Sequence, residues 1–499
     1  MRRRIAISLF AAVLVPLVLV SPAAPVQTAT AADDPAKWRT WDLEKPNQFP
    51  LVPPPRAGSA VTRAELNELL RLQRTRGAAQ RAAVRNWNSR PAVVAWTEVA
   101  LRMIVDHRPR PPFSARALAL LETGMYDAMV AAYQARAAYR GKTRPEPSKL
   151  EPRLEPLLSS TGGTSYAPPE AAIAGAAEDI LAYLFPNEPR STFRSLASEA
   201  VQSRLWAGAN YRTDVTRARE LGRKIARLVI ARGESDGHTS TTIPPPLVGE
   251  AYWSPTPPAY EPPIGGPVGG WKPWLLPSPS ALRGRIPGPS AYGSPQFTAQ
   301  LREVLDVSRT LTREQRQIAF FWDDGPGTFT PAGHWFAIAI DLVKSFKLGS
   351  PQTARAFAVL GAAEADAAIA FFEAKYQWWS IRPVTAMWRL CDGGLVLCTE
   401  AEVTANPARA THRNTWFPLI ITPAFPSYPG GHSTFSGAAG RVLTHFFPSA
   451  GGTINKLAKE AADSRLYGGI HFDEDNDDGL VLGRGVADLA IRWTQTPRS

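Results

Sequence analysis

The sequence predicts an all-α fold. Alanine- and leucine-rich segments recur along the chain with apolar residues three and four positions apart, which is the spacing of an amphipathic helix. Strand-like patterns are confined to short apolar runs such as Gly394–Leu397. The chain has 499 residues, 44% hydrophobic and 20% charged, so it can bury a large core. No sequence repeat of about 20 to 50 residues is visible.

Changes in composition divide the chain into five segments. We expect a signal peptide at 1–32, an arm and helix at 33–95, a helical half at 96–232, a linker at 233–295 and a second helical half at 296–499, which carries the candidate site. The linker is rich in proline, glycine and tryptophan. Its tryptophans predict that it packs over the surface as a wrap between the two helical halves.

The first 32 residues have the pattern of a secretory signal peptide. Arg2–Arg4 precede the apolar run Ile5–Val20, and small residues at Ala29–Ala32 form the cleavage region. A membrane anchor is the alternative, but the apolar run is short and contains Pro16. We therefore expect a secreted protein, extracellular or periplasmic, with no membrane segment after signal removal.

The charge of the chain argues against a nucleic-acid partner. The 56 basic and 44 acidic residues give a formal net charge of +12, which is modest for this length. No basic helix or aromatic-interleaved lysine run is present. The excess positive charge is better suited to attracting small anions.

The two cysteines, Cys391 and Cys398, are separated by six residues in a glycine-containing loop. In an exported protein this arrangement favours a disulfide that closes the loop. A metal site would need further ligands, and the neighbouring sequence does not offer them.

The candidate site is organised around a loop that leads into a helix. The stretch Phe425-Pro-Ser-Tyr-Pro-Gly-Gly-His432 is followed by small and apolar residues at helical spacing, so His432 should lie in the first turn. The free N–H groups of a helix N-terminus favour anions. A lone histidine there would ordinarily be a capping or packing residue, and two other stretches change this interpretation.

Both of these stretches bring cations to the site. Lys375 and Arg382 are seven residues apart, close to two helical turns, so they should project from one face of a helix. Arg465 precedes His471 by six residues, and Asp475 follows His471 by four, close enough to hold its second ring nitrogen. Three cations and two histidines around one helix end predict a bound oxyanion such as phosphate.

These stretches resemble the signature shared by vanadium-dependent haloperoxidases and the type 2 phosphatidic-acid-phosphatase superfamily. The motifs Lys-x6-Arg-Pro, Pro-Gly-Gly-His and Ser-Arg-x5-His-x3-Asp occur in the family's order, and the segments 320–325 and 330–335 resemble the bacterial haloperoxidase branch. The resemblance covers about 95–495 and implies helical bundles of the haloperoxidase and acid-phosphatase type. The family usually has serine at the position of Gly430, so one side-chain donor to the oxyanion is missing.

The resemblance implies a vanadate-dependent haloperoxidase that oxidises halide with hydrogen peroxide to hypohalous acid. His471 would be the axial vanadium ligand, Asp475 would hold the other nitrogen of that ring, and His432 would exchange protons with peroxide. Lys375 would also polarise the peroxide. The residues expected to bind the oxyanion are Lys375, Arg382, Gly430, Gly431 and Arg465.

Two other functions use the same scaffold. In an acid phosphatase, His471 would attack phosphorus of a phosphate ester to form a phosphohistidine, His432 would protonate the leaving alcohol, and no vanadate would be needed. An inactive binding homologue is the third possibility, and the complete set of site residues argues against it. A secreted chain with a full additional helical half favours the peroxidase.

The resemblance also places three residues next to the site. Asp324 is expected to form an ion pair with Arg465, Phe425 to lie beside the halide site, and Ser464 to lie in the layer of residues that surrounds the oxyanion-binding groups. The histidines outside the motifs are expected to be structural; they are His107, His238, His334, His412 and His445. The acidic run 473–478 lacks the glycine and glutamate positions of a calcium-binding loop.

Overall fold

A computed structural model describes residues 34–159, 163–392 and 416–495. The predicted signal peptide lies outside the described residues, and so does Cys398 of the predicted Cys391–Cys398 disulfide. The described ranges are helical and contain no β-strand, so the all-α prediction is confirmed. None of the described helices is long and apolar enough to cross a bilayer.

The N-terminal part contains a long central helix surrounded by shorter ones. Its helices are α1 (Ala60–Arg74), α2 (Ala78–Asn88), α3 (Ala92–His107), α4 (Pro111–Ala138), α5 (Pro147–Leu150), α6 (Pro169–Leu184), α7 (Arg190–Trp206) and α8 (Arg212–Glu234).

The C-terminal part is built in a similar way. Its helices are α9 (Pro295–Thr310), α10 (Arg313–Phe321), α11 (Thr330–Phe346), α12 (Ser350–Trp378), α13 (Pro383–Asp392), α14 (Gly431–Phe446), α15 (Gly451–Tyr467) and α16 (Asp473–Gln495).

The two longest helices, α4 and α12, pack against each other in the core, and most of their residues are buried. Helices α6 and α8 pack on α4, whereas α14 packs on α12 and on α16. A glycine allows the close approach of α8 to α6, and another allows that of α16 to α14. A Cβ on Gly222 would lie 1.9 Å from the Ala172 carbonyl oxygen, and a Cβ on Gly483 would lie 2.0 Å from that of Thr434. Neither position can carry a side chain without separating its helix pair.

The segment between α8 and α9 contains no long helix and is fastened to α12. The buried Asp366 carboxylate accepts hydrogen bonds from the N–H groups of Trp274, Leu275 and Leu276 at 2.8, 2.7 and 2.8 Å. Burial raises the pKa of Asp366 to about 6, although the three amides favour the ionised form. Several side chains of this segment are buried, including those of Trp253 and Trp271.

Glu364 of α12 is a buried acid without a hydrogen-bond partner among the described residues. Burial raises its pKa well above the ordinary value of 4.5. The folded state therefore binds one more proton than the unfolded state between 4.5 and the raised pKa, so the free energy of unfolding falls as pH rises through that window.

Glu364→Gln should remove this pH dependence. We expect the slope of the unfolding free energy against pH to become less negative by about 1.4 kcal/mol per pH unit within the window. Urea unfolding at several values between pH 5 and 8 measures the slope. Glu314→Gln, at an exposed position on α10, is the control. Parallel slopes for wild type and Glu364→Gln would contradict the prediction.

Candidate oxyanion-binding active site

The candidate site lies where the C-terminal end of α12 meets the first turns of α14 and α16 and the last turn of α15. The structure brings together all six charged or histidine residues of the three motifs. They are Lys375, Arg382, His432, Arg465, His471 and Asp475.

Arg382 reaches the site by a different route from the one predicted. Helix α12 ends at Trp378, so Arg382 is not two helical turns beyond Lys375 on the same helix. Trp379 adopts a left-handed conformation with φ of +48° and donates its N–H to the Lys375 carbonyl, which ends the helix. Pro383 then begins α13. The prediction of one shared helical face is therefore wrong, but the connecting segment still delivers the guanidinium to the site.

His471 is held in one tautomer by its two neighbours. Its Nδ1 lies 2.8 Å from Asp475 Oδ2, and its Nε2 lies 3.0 Å from Nη1 of Arg382. Because a guanidinium only donates, Nε2 must be the unprotonated nitrogen and Nδ1 carries the hydrogen. Burial, with the nearby Arg382 and Lys375, lowers the pKa of His471 well below its usual range. The ring is therefore neutral, with a lone pair on Nε2.

Ser427 completes this arrangement, and motif-based reasoning missed it. Its hydroxyl donates to Asp475 Oδ2 at 2.5 Å, and the N–H of Phe472 reaches the same oxygen at 3.2 Å. Burial raises the pKa of Asp475 to about 7, and the Ser427 hydroxyl opposes that rise. Ser427 therefore helps to keep the carboxylate ionised beside His471. The sequence feature that could have pointed to Ser427 is its position in the same loop as His432, five residues earlier.

Ser427→Ala should weaken activity without removing it. Loss of the hydroxyl should favour protonation of Asp475 and loosen the hold on the His471 ring. We expect a fall in kcat of about 10- to 100-fold, as for other groups that orient a ligand histidine. As pH falls, the variant should also lose activity at a higher pH than wild type does, because the Asp475 carboxylate protonates more easily. An unchanged pH–rate profile would show that Ser427 does not act through Asp475.

Lys375 is fully buried and directs its ammonium group at the loop before α14. Its Nζ donates to the carbonyl oxygens of Pro426, Ser427 and Pro429 at 2.9, 2.6 and 2.6 Å. Each of the three ammonium hydrogens therefore has one carbonyl acceptor. Burial and the nearby Arg382 lower the pKa of Lys375 well below its usual range. The observed contacts make Lys375 the fastening point of the loop, and direct binding of an oxyanion by it stays a prediction.

The two arginines supply hydrogen-bond donors that nothing in the described residues satisfies. Arg382 donates through Nε to the Phe425 carbonyl at 2.9 Å and through Nη1 to that of Ile470 at 2.7 Å, while its Nη2 is buried without a partner. Nε and Nη2 of Arg465 are also buried and unpaired. Burial lowers the pKa of Arg382 to about 9 and that of Arg465 to about 10. Such a pair of desolvated cations fits an anionic ligand.

His432 lies in the first turn of α14 and faces Arg465. Its Nε2 is 2.9 Å from Arg465 Nη1, so this nitrogen is also the unprotonated one. A hydrogen bond with the backbone of Asp323 favours the protonated ring, but burial and the Arg465 charge outweigh it, and the pKa of His432 lies well below its usual range. A bound anion would offset part of the positive charge and raise this pKa.

The predicted ion pair between Asp324 and Arg465 is not formed. Both oxygens of the Asp324 carboxylate lie 3.1 Å from Nδ1 of His334, which is stacked on Trp322. Asp324 has a φ of +50°, and this turn directs its carboxylate toward α11. It still acts on Arg465 at longer range, favouring the charged guanidinium. His334 was expected to be purely structural, and it lies close enough to lower the pKa of His432.

Comparisons with known proteins identify the fold of the chain. Residues 355–452 and 449–499 match the family model described as the VCPO second helical-bundle domain. The chain has the fold of the vanadium-dependent haloperoxidases. The resemblance predicted from the motifs is therefore confirmed. No curated protein matches the sequence.

Solved haloperoxidase structures are similar over most of the chain. A bacterial vanadium-dependent iodoperoxidase has 24% identity and a TM-score of 0.61, covering 80% of this chain and 95% of its own. An apo-type bacterial vanadium-dependent chloroperoxidase has 15% identity and a TM-score of 0.52, covering 77% and 92%. A holo-type structure of such a chloroperoxidase has 16% identity and a TM-score of 0.52, covering 80% and 92%.

The glycine that replaces the usual haloperoxidase serine has a steric explanation. A Cβ on Gly430 would lie 2.5 Å from Ser433 Oγ and 3.0 Å from the Asp475 carbonyl oxygen. The Gly430 N–H donates to that same carbonyl at 2.7 Å, so it is committed to α16. Gly431 begins α14, and the first N–H groups of a helix have no partner within it. Of the two glycines, Gly431 is thus the better placed to bind an oxyanion.

The two other residues predicted beside the candidate site differ in their contacts. The Phe425 ring centroid is 5.1 Å from Lys375 Nζ and 5.0 Å from Arg382 Cζ, so this half-buried ring borders the cations. Ser464 is buried, and its hydroxyl donates to the Ala461 carbonyl of its own helix at 2.7 Å. Its hydroxyl makes no hydrogen bond to Arg465.

Proposed function

We propose that this protein is a secreted vanadate-dependent haloperoxidase that oxidises halide with hydrogen peroxide to hypohalous acid. The observation that carries the proposal is the set of buried, unpaired guanidinium N–H groups of Arg382 and Arg465 around two unprotonated imidazole nitrogens. The likeness to bacterial haloperoxidases supports the peroxidase over other uses of an oxyanion pocket.

The residues present fit vanadate. The unpaired N–H groups of Arg382 and Arg465 match the oxygens of a tetrahedral oxyanion, and Nε2 of His471 offers a neutral nitrogen ligand. These three residues, with the first turn of α14, would hold the ion. When bound, vanadate supplies Lewis-acid activation of hydrogen peroxide toward a halide.

The residues of the site then have separate roles. Asp475 and Ser427 hold the proton on Nδ1 of His471, so its Nε2 lone pair points into the pocket. Arg382 and Arg465 neutralise the charge of the oxyanion. His432 Nε2 is placed to accept a proton from incoming peroxide once a bound anion has raised its pKa.

A phosphatase is the second candidate, and the neutral His471 favours it. An imidazole whose Nε2 is unprotonated, held from behind by a carboxylate, is also an activated nucleophile for phosphorus. His432 would protonate the leaving alcohol, and the two arginines would stabilise the charge on the transferring group. Such an enzyme would need no vanadate and would be inhibited by it.

Two assays on the purified protein separate these functions. The first supplies orthovanadate, hydrogen peroxide and bromide, and the second supplies an aryl phosphate without vanadate. Vanadate-dependent bromide oxidation without phosphate release is the expected result, with His445→Ala on the far end of α14 as an active control. Phosphate release alone would overturn the peroxidase. N-terminal sequencing of exported protein, expected to begin after residue 32, tests secretion.

A further inference from the structure

The N-terminal half repeats the motif that carries His471. Residues 203–214 read Ser-Arg-Leu-Trp-Ala-Gly-Ala-Asn-Tyr-Arg-Thr-Asp, and residues 464–475 read Ser-Arg-Leu-Tyr-Gly-Gly-Ile-His-Phe-Asp-Glu-Asp. Each stretch leaves one helix, α7 or α15, turns, and enters the next, α8 or α16. Arg204 thus corresponds to Arg465, and Asn210 takes the position of His471.

The loop before the anion-binding helix is repeated as well. Residues 165–170 read Ser-Tyr-Ala-Pro-Pro-Glu, and residues 427–432 read Ser-Tyr-Pro-Gly-Gly-His. The first loop leads into α6 and the second into α14. Glu170 therefore occupies the position of His432. Two prolines replace two glycines, and because proline has no N–H, the first turn of α6 cannot bind an anion as α14 can.

Equivalent contacts show that the correspondence is three-dimensional. Gly222 meets the Ala172 carbonyl on α6 as Gly483 meets the equivalent carbonyl on α14. The buried Asp127 of α4 accepts hydrogen bonds from three consecutive N–H groups, those of residues 41–43, at 2.9, 2.8 and 3.0 Å. Asp366 of α12 does the same for residues 274–276. The two halves are therefore copies of one helical unit.

The second copy of the site has its own internal charge balance. Arg204 donates through Nε to Asn210 Oδ1 at 2.9 Å, and Asn210 Nδ2 donates to the Ser165 carbonyl at 3.0 Å, so both ends of the amide are used. The Glu170 Oε1 atom lies 3.9 Å from Arg204 Nη1. Arg204 is only 5% exposed, and its Nη2 has no partner among the described residues. Arg204, a buried cation with one unsatisfied N–H group, therefore lies near the Glu170 carboxylate. In the catalytic copy the position of Glu170 is occupied by His432.

We infer that the N-terminal half contains a degenerate second oxyanion site in which Glu170 supplies the negative charge that the catalytic copy takes from a bound oxyanion. The inference uses the oxyanion pocket of the proposed function as its reference. Removing the Glu170 charge should therefore create a site for a tetrahedral oxyanion such as phosphate at Arg204.

Binding of inorganic phosphate tests the inference. Equilibrium dialysis with radiolabelled phosphate gives the number bound per chain for wild type, Glu170→Gln and Glu220→Gln, an exposed control on α8. Glu170→Gln is expected to bind one more phosphate than wild type, and the control the same number. The increment does not depend on the catalytic copy: if that pocket binds no oxyanion, all three counts fall together, and if the protein is not a haloperoxidase, the difference between the variants is unchanged. No increment in a folded Glu170→Gln variant would overturn the inference.

The double variant Glu170→Gln/Arg204→Met covers the case in which the single variant does not fold. It removes the buried cation along with its carboxylate, and it should fold and bind no additional phosphate. If the single variant fails and the double variant folds, Glu170 is the counterion of Arg204, as inferred. Failure of both would show that Glu170 does more than balance the charge of Arg204 and would overturn the inference.

Discussion

His471→Ala is expected to abolish vanadate binding and to lower halide oxidation by at least about 10³-fold. Nε2 of His471 faces Arg382, and Asp475, supported by Ser427, holds the ring from behind, so alanine removes the nitrogen ligand that this site presents. Titration calorimetry with orthovanadate measures binding, and bromide oxidation with peroxide measures turnover. The same variant should also lose any phosphate-ester hydrolysis, since that chemistry needs the same nitrogen.

Thermal unfolding controls for damage to the fold in this variant, because alanine leaves the buried Asp475 without its imidazole partner. His445→Ala, at the other end of α14, should bind vanadate and turn over normally. Retained catalysis in a folded His471→Ala protein would exclude both the peroxidase and the phosphatase mechanism.

His432→Ala is expected to separate binding from turnover. Its Nε2 contacts Arg465, and the variant frees one more guanidinium donor for the oxyanion, so vanadate affinity should stay close to wild type. Turnover should fall by about 10² to 10⁴-fold, which is the usual contribution of an acid–base group. Calorimetry and the bromide assay on the same preparation give both numbers. A loss of affinity as large as the loss of turnover would make His432 a binding residue instead.

The residues of the three motifs could be predicted because each motif is a short stretch of sequence that contains its own charged residues and histidines. A helix start after Gly430, two histidines and three cations define an anion site without knowledge of the packing. The path of Arg382 could not be predicted, because it depends on the left-handed turn at Trp379 that ends α12. The partner of Asp324 depends on where α11 places His334, and no local pattern gives that contact.

The duplication of the chain was also hidden from a search for short repeats. Its two copies are separated by more than two hundred residues, and the residues that would reveal a site have changed in one copy. Asn210 and Glu170, taken alone, do not indicate an oxyanion site. The relation becomes visible from the shared Ser-Arg-Leu and Ser-Tyr sequences together with the equivalent contacts of Asp127 and Asp366 and of Gly222 and Gly483.

The fastening of residues 274–276 to Asp366 has a consequence for amide hydrogen exchange. These three N–H groups belong to no helix, yet each is bonded to a carboxylate that is buried within α12. They can exchange with solvent only when this segment lifts off α12, so they should exchange as slowly as the amides of a packed helix. A stretch without secondary structure would then belong to the same cooperative opening unit as the helix that supplies Lys375.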